Sequence, residues 1–470
     1  MAASVTLGVI VGNRGFFPDW VAREGRKEIL ALLKKEGIKA VCLSERDTKY
    51  GAVETLEDAR KCADLFDKNR KAIDGVLVTL PNFGDEKGIA NTIKFSGLNV
   101  PILMQAYPDD LKKLDMGSRR DAFCGKLSVC NNLLQYGYPF SLTRTHTVDP
   151  KSQEFLEDLR NFVATCRVVK GLRNARLGAI GARTGPFNTV RYSEKLLEMT
   201  GISVETVDLS EILGLACALT DTDRKVKARL KKIKDYVNTK GTPEEALVKM
   251  AKLATVLDGW IKDNAIDGIA LQCWTAIEEY FGIQPCTVMS MLGEKLIPSA
   301  CEVDVSGLVG MYALQLASGK PSALVDWNNN AGTNPDEAII FHCSNFPISM
   351  ITSGKVSHHE IICTAVAKEK TYGPCTGHMK PGPMTFCRVA TEDVDGDIIA
   401  YVTEGEAKKN KLNTFGAHCI VNIPDLQGLL EYACKNGFEH HVAVSYSQTG
   451  KAIVEAMETY LGWEVYGHAL

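Results

Sequence analysis

Arg176-Leu177-Gly178-Ala179-Ile180-Gly181 is the stretch on which the fold turns, because it restarts an alternation that the chain has already run through once. The first run opens at Thr6-Leu7-Gly8-Val9-Ile10-Val11, an apolar, β-branched segment that reads as a strand. Behind it, helical spacing over Trp20–Lys35 and Leu56–Asn69 separates strand-like segments at Lys39–Leu43, Gly75–Leu80 and Val100–Gln105. After residue 181 comes a turn with Gly185-Pro186, a helix from about Val190, and strands at Ser203–Asp208 and Gly268–Gln272. Between those two strands the pattern is helical over residues 211–263, broken at Gly241-Thr242-Pro243. Thr242 reads there as a helix cap, with proline first and Glu244 and Glu245 in the opening turn. Short apolar runs joined by amphipathic helices require right-handed crossovers, and hence two parallel sheets in succession.

Past residue 345 the texture changes. Met384–Ala390 and Ile398–Glu404 are strand-like and flank the turn Asp395-Gly396-Asp397, which predicts antiparallel pairing. The expected fold is therefore α/β, with two successive doubly wound parallel-sheet domains at residues 1–172 and 173–345. A smaller β-rich, antiparallel, barrel-like domain follows at 346–470. A last helix is expected at Gln448–Leu461.

A chain of 470 residues accommodates two or three such domains. Its net charge of −3 supplies no overall basic field, so neither nucleic acid nor an anionic membrane is an expected partner. Arg229-Leu230-Lys231-Lys232-Ile233-Lys234 alternates with apolar residues and reads as the wet face of a helix. The N-terminus lacks the basic and long apolar segments of an export signal, and no stretch approaches a membrane span. Fifteen scattered cysteines without a Cys-x-x-Cys pair point to reduced thiols and a cytoplasmic setting.

Chemistry concentrates around Cys301-Glu302-Val303-Asp304, an apolar helical pattern from Val305 to Ala317, and Leu324-Val325-Asp326-Trp327. Glu302 precedes the helix and Asp326 ends a strand, so one helix and a return strand can bring two carboxylates to one mouth of the sheet. The bland alternative has Glu302 capping the helix and Asp326 paired with a lysine. Glu439-His440-His441-Val442-Ala443-Val444 tilts the balance toward a site. Alternation sends adjacent histidines to opposite faces, so one of them at most would bind a metal. Two carboxylates and an imidazole suit Mn²⁺, Mg²⁺ or Co²⁺ better than a thiolate metal.

The spacing of Glu302 and Asp326, with His440 far downstream, resembles the metal triad of the L-fucose and L-arabinose isomerase family. The endings Ala-Leu-Val-Asp326 and Glu-His440-His-Val-Ala carry that likeness, as does the intervening helix with Gly307 and Gly310. The resemblance is clearest over residues 265–330 and 435–450. It implies a divalent cation, most simply Mn²⁺, held by Glu302, Asp326 and His440. It also implies an aldose–ketose isomerisation of an open-chain sugar through an enediolate, with Glu302 and Asp326 relaying the proton as acid and base. Gln272, in Leu271-Gln272-Cys273-Trp274, resembles a sugar-touching position of that family, and Trp274 beside it joins the expected substrate contacts. Homo-oligomers, a hexamer among them, are implied by the same likeness.

Two loops depart from what a neutral sugar needs. Gly12-Asn13-Arg14-Gly15 follows the first strand and lacks the spacing of a dinucleotide site. Ile180-Gly181-Ala182-Arg183 is its counterpart in the second domain. Arg14 and Arg183 read as substrate-binding forks, the alternative being tight turns with solvated arginines, and they suggest an anionic substrate such as a carboxylate, sulfonate or phosphate. His342, ending Ile339-Ile340-Phe341, is a further substrate-contact candidate. His358-His359 reads as structural, and Thr371–His378 as a surface loop. Rival readings are a metal-dependent epimerase or lyase on a sugar or sugar acid, and a non-catalytic sugar-binding protein.

Overall fold

A computed structural model describes residues 4–470. The chain divides into two compact units: one runs up to Lys170 and takes in Glu455–Gly462, the other comprises Gly171–Val454 with Trp463–Leu470.

The first unit holds a five-stranded sheet in the order β2-β1-β3-β4-β5. Its strands are β1 (Thr6–Val11), β2 (Lys39–Cys42), β3 (Gly75–Leu80), β4 (Ile102–Ala106) and β5 (Ser141–Leu142). All pairings are parallel. Leu7, Val9, Ile10 and Val11 are buried although successive side chains leave opposite faces of the strand. Helices must therefore cover both faces, which is why the segment reads as an unbroken apolar run. The expected strand and helix positions are reproduced to within about two residues, the usual uncertainty of element ends.

The second unit opens with a four-stranded parallel sheet, order β7-β6-β8-β9. It consists of β6 (Arg176–Ile180), β7 (Ser203–Val207), β8 (Gly268–Leu271) and β9 (Ser299–Cys301). The helical stretch between β7 and β8 is three helices, Leu209–Ala218, Arg224–Tyr236 and Glu244–Asp263. Thr242 is not the cap expected of it: Pro243 occupies the position before Glu244 and offers no side-chain bond.

The remaining strands form one nine-stranded sheet, β12-β13-β16-β11-β10-β17-β14-β15-β18, in which β16 also pairs with β15. They are β10 (Ser322–Asn330), β11 (Glu337–His342), β12 (Ile351–His358), β13 (Tyr372–Met379), β14 (Gly382–Glu392), β15 (Asp397–Lys408), β16 (Ala417–Asn422), β17 (His441–Ser445) and β18 (Glu464–His468). The second partner of β16 closes β16-β11-β10-β17-β14-β15 into a ring. Val325, Ile340, Phe386, Val421, Val442 and Val444 lie on one face of that ring and pack in a single buried cluster. Closure leaves no open edge within the ring. Two parallel-sheet α/β layers followed by a largely antiparallel, partly closed β sheet is the architecture that the alternation predicts.

Two further expectations are corrected. The strand carrying Asp326 was expected to return to the parallel sheet of the second α/β domain, yet β10 lies antiparallel between β11 and β17. A helix followed by an apolar run has the same pattern whichever sheet receives the run, so spacing could not name its partners. Thr371–His378 is a strand rather than a loop, paired with β12 and, at His378, in register with β16. Its glycines and proline disguise it: at Gly373 a Cβ would stand 2.1 Å from the Gln284 carbonyl oxygen, so glycine marks a close backbone approach.

Candidate metal and sugar site

β9 ends at Cys301, and the chain then turns through Glu302 (φ 60°) and Val303 (φ 59°), both in the left-handed region. Two successive non-glycine residues there store strain of the kind that clusters at functional sites. The turn delivers Asp304 to the start of helix Val305–Ser318, where its Oδ1 accepts from the Gly307 N–H at 2.7 Å. The capping role considered for Glu302 thus belongs to Asp304. Glu302, 7 % exposed, is free to face elsewhere.

It faces His441. Asp326 and His441 are register partners on β10 and β17, so both project from one face of the sheet. His441 Nε2 lies 3.3 Å from Glu302 Oε2 and 3.4 Å from Asp326 Oδ1. Its Nδ1 is 2.8 Å from Asp304 Oδ2. Asp304 is held in turn by the fully buried Arg388, whose Nη1 and Nη2 donate to the two carboxylate oxygens at 2.6 and 3.2 Å. Arg388 Nε donates to Glu439 at 2.8 Å. Trp274 Nε1 donates to Glu302 Oε1 at 3.1 Å, which leaves Glu302 Oε2 buried without a hydrogen bond among the described residues.

The electrostatics follow from this wiring. Burial would raise the Asp304 carboxyl, but Arg388 and His441 hold it well below the usual carboxylate range. A permanently ionised Asp304 favours the tautomer in which Nδ1–H donates to it, and Nε2 then presents a lone pair to two more carboxylates. Three lone-pair donors converging in a buried place repel one another unless a positive charge lies between them. Burial pushes the Glu302 carboxyl upward against the pull of His441 and Trp274. It pushes Asp326 up to about 6, again opposed by His441. His441 itself is raised: burial works against its charge, but Asp304, Glu302 and Asp326 outweigh it. A proton on His441 or a divalent cation would each supply the missing charge, and the mixed oxygen–nitrogen donors fit such a cation.

His342, 2 % exposed, also comes near. Its ring centroid is 5.9 Å from that of His441, and it forms a metal-sized group with Glu302 and His441. Its Nδ1 has no hydrogen-bond partner among the described residues. Burial lowers its pKa to about 3, so the ring is neutral.

The other expected residues are placed as follows. His440 Nε2 lies 3.6 Å from Asp326 Oδ1, and its side chain is 43 % exposed. It shares a metal-sized group with Asp326 and His441, but not with Glu302. Of the two adjacent histidines, His441 is the one that faces both carboxylates. Gln272 Oε1 accepts from the Ala182 N–H at 3.0 Å and so ties down the loop that carries Arg183. Arg183 Nη1 donates to the carbonyls of Thr184 and Gly185. Arg14 lies in the first unit, where it is ion-paired with Glu86 and stacked 4.1 Å over the Phe83 ring; its charge is already answered there.

Asp304, Arg388, Glu439 and Phe187 escaped the sequence reading of the site. Arg388 leaves a trace, since it is a lone charge within the apolar run Met384–Ala390. Phe187 leaves none, yet its ring lies 6.1 Å from Trp274, 5.4 Å from His440 and 5.6 Å from His441.

Two regions of the chain match described families. Residues 8–173 match "Fucose/sulfoquinovose isomerase, N-terminal domain", and residues 340–468 match "L-fucose isomerase, C-terminal domain". The chain belongs to the fucose-isomerase-like family of sugar isomerases. Among its relatives is a sulfoquinovose isomerase of Clostridium sp. (strain MSTE9), 24 % identical over 63 % of this chain and 66 % of the relative. That of Priestia megaterium (strain ATCC 12872 / QMB1551) is 22 % identical over 62 % of this chain and 63 % of the relative. These two matches each span a little under two thirds of the relative's length. A third, from Alkalicoccus urumqiensis, is 21 % identical over 81 % of this chain and 83 % of the relative. The residues between the two family matches, 174–339, are those that contribute Glu302 and Asp326.

Proposed function

We propose that this protein is a metal-dependent aldose–ketose isomerase acting on an open-chain sugar that carries a negative group. The observation that carries the reading is the position of His441, braced on Nδ1 by Asp304 and faced on Nε2 by both Glu302 and Asp326. The names of the relatives favour a sulfonated hexose as substrate.

Glu302, Asp326 and His441 would hold the cation; His440 is the less apt imidazole because it does not share a group with Glu302. When bound, a divalent cation supplies Lewis acidity, polarising the carbonyl and offsetting the negative charge of an enediolate. The rest is the work of the chain. Trp274 fixes one oxygen of Glu302, so the other stays turned toward His441. A carboxylate raised toward neutrality is a competent base that can also return the proton one carbon away. Glu302 and Asp326 are the pair placed for that transfer. Phe187 stands against the imidazoles and Trp274, where it can exclude water from the reacting carbons. Arg183, on the loop tied by Gln272, is a candidate partner for an anionic group, once it releases the carbonyls of Thr184 and Gly185.

The test is a metal-stripped against Mn²⁺-restored assay on neutral and 6-sulfonated aldoses, followed by NMR in D₂O. Conversion with deuterium entering at C2, only with metal, is the expected result. Near-normal turnover by Glu302→Gln would exclude this mechanism.

A further inference from the structure

Strand β12 ends at His358, and the chain leaves it through Glu360 and Ile361 into the short turn Ile362–Thr364. Three different donors converge there from one short segment. The His358 imidazole, the Glu360 carboxylate and the Cys363 thiol offer atoms that all lie within 4.8 Å of one another. His358 Nε2 stands 3.2 Å from Glu360 Oε2. A charge-assisted hydrogen bond between such groups is shorter, about 2.7–2.9 Å. Tetrahedral zinc, with bonds of about 2.0–2.2 Å to nitrogen and oxygen, holds those two ligands about 3.4 Å apart. The observed separation is close to that edge.

The segment is held in place by its own local structure. His358 is in register with Tyr372 of β13, and the two rings meet edge to face with centroids 6.2 Å apart. The Cys363 amide donates to the His359 carbonyl at 3.0 Å, and its thiol donates to the Glu360 carbonyl at 3.2 Å. His359 is buried, and its Nδ1 accepts from the Ile362 N–H at 3.2 Å. Of the two neighbouring histidines, His359 pins the turn while His358 faces the carboxylate and the thiol. His358 and Cys363 are half-buried and Glu360 is exposed. A hydrated ion can therefore reach all three, and water can complete its coordination.

We propose that His358, Glu360 and Cys363 form a second metal site, which takes Zn²⁺ with water in the fourth position. The donor set selects the ion. One sulfur, one nitrogen and one oxygen suit zinc, whereas two carboxylates and an imidazole, as around His441, suit a harder cation. Thiolate is the form of cysteine that binds, so loading the site passes the Cys363 proton to solvent. The three residues are separate from Glu302, Asp326 and His441, and the assignment stands without the isomerase reading. Once occupied, the site ties the first turn of the β12–β13 connection to the end of its strand.

The experiment titrates metal-free, full-length protein with Co²⁺, a spectroscopic stand-in for Zn²⁺. A near-ultraviolet thiolate-to-cobalt band should appear, and Zn²⁺ should abolish it. Glu302, Asp326 and His441 supply no sulfur, so cobalt held by them is silent in that band. Cys363→Ser should remove the band. His358→Ala and Glu360→Gln should each weaken Zn²⁺ at this site by at least about tenfold, the lower bound for losing even an outer partner of a ligand. Alkylation provides a readout in the unaltered protein: iodoacetamide should label Cys363 in the presence of a chelator and far more slowly with Zn²⁺. The site is overturned by a wild type without the band, by a band that persists in Cys363→Ser, or by equal labelling with and without Zn²⁺. Protection of Cys363 by Mn²⁺ as strong as that by Zn²⁺ would overturn the assignment to zinc.

Discussion

At the scale of single residues the centre depends on what stands behind the facing groups. Asp304 does two separable jobs: it caps helix Val305–Ser318 and fixes the His441 imidazole. Asparagine is as good a cap as aspartate, but it cannot counter a charge on Arg388 or His441. Asp304→Asn should therefore keep its helix, seen as unchanged far-ultraviolet dichroism, while metal affinity and turnover fall by about 10–100-fold, as for other outer partners of metal-binding histidines. Unchanged metal affinity would mean that Asp304 only caps. Glu278 provides a test away from the centre. It is fully buried beside Gln284, its Oε2 has no hydrogen-bond partner among the described residues, and burial raises its pKa from 4.5 to about 8. The native state then holds a proton that the unfolded state has released, so stability from this group is complete below pH 4.5 and falls as pH rises toward 8. Glu278→Gln should abolish that slope and be more stable than wild type near pH 8, by something on the order of a few kcal/mol. Parallel urea-melt stabilities of the two proteins across this range would refute the assignment.

At the scale of elements the decisive contact is between helix Val305–Ser318 and strands β14 and β17. The helix is buried along nearly its whole length, and Gly310 lets it approach the Cys387 carbonyl closely. A methyl there must push the helix away from the strands that carry His441 and Arg388. Gly310→Ala, although it favours an isolated helix, should destabilise the protein by about 1–3 kcal/mol through overpacking. The same displacement should weaken Mn²⁺ binding. A stabilised variant with intact metal affinity would show that the contact is loose. The apolar pattern of this helix was legible from residue types alone. Its seat on a closed sheet was not, because the pattern Val305–Ala317 would serve equally well against a parallel sheet.

At the scale of the whole molecule, the proposed cation ties together segments far apart in the chain: the turn after β9, the middle of β10 and the start of β17. Ligands that bind only the native state stabilise by mass action. Mn²⁺ at a hundred times its dissociation constant should add about 2.7 kcal/mol. Amide exchange should slow at residues 299–306, 322–328 and 440–445, and a chelator should reverse the effect. Exchange that ignores Mn²⁺ at all three segments would exclude this ligand set. Among the described residues no helix is long and apolar enough to cross a membrane.

Local chemistry along the chain was sufficient for the strand–helix alternation, the change of texture past residue 345 and the two carboxylates on either side of a helix. Each is written in periods of two or 3.6 residues and in short-range spacing, and those survive without knowledge of partners. Which sheet received Ser322–Asn330, which of two adjacent histidines turned inward, and that Arg388 would brace Asp304 were decided only by tertiary structure. Strand pairing and buried ion pairs join residues more than eighty positions apart, as from Asp304 to Arg388 and from Asp304 to His441. No local pattern encodes such a pairing: burial forces those groups to find partners, and the closed sheet determines which ones are within reach.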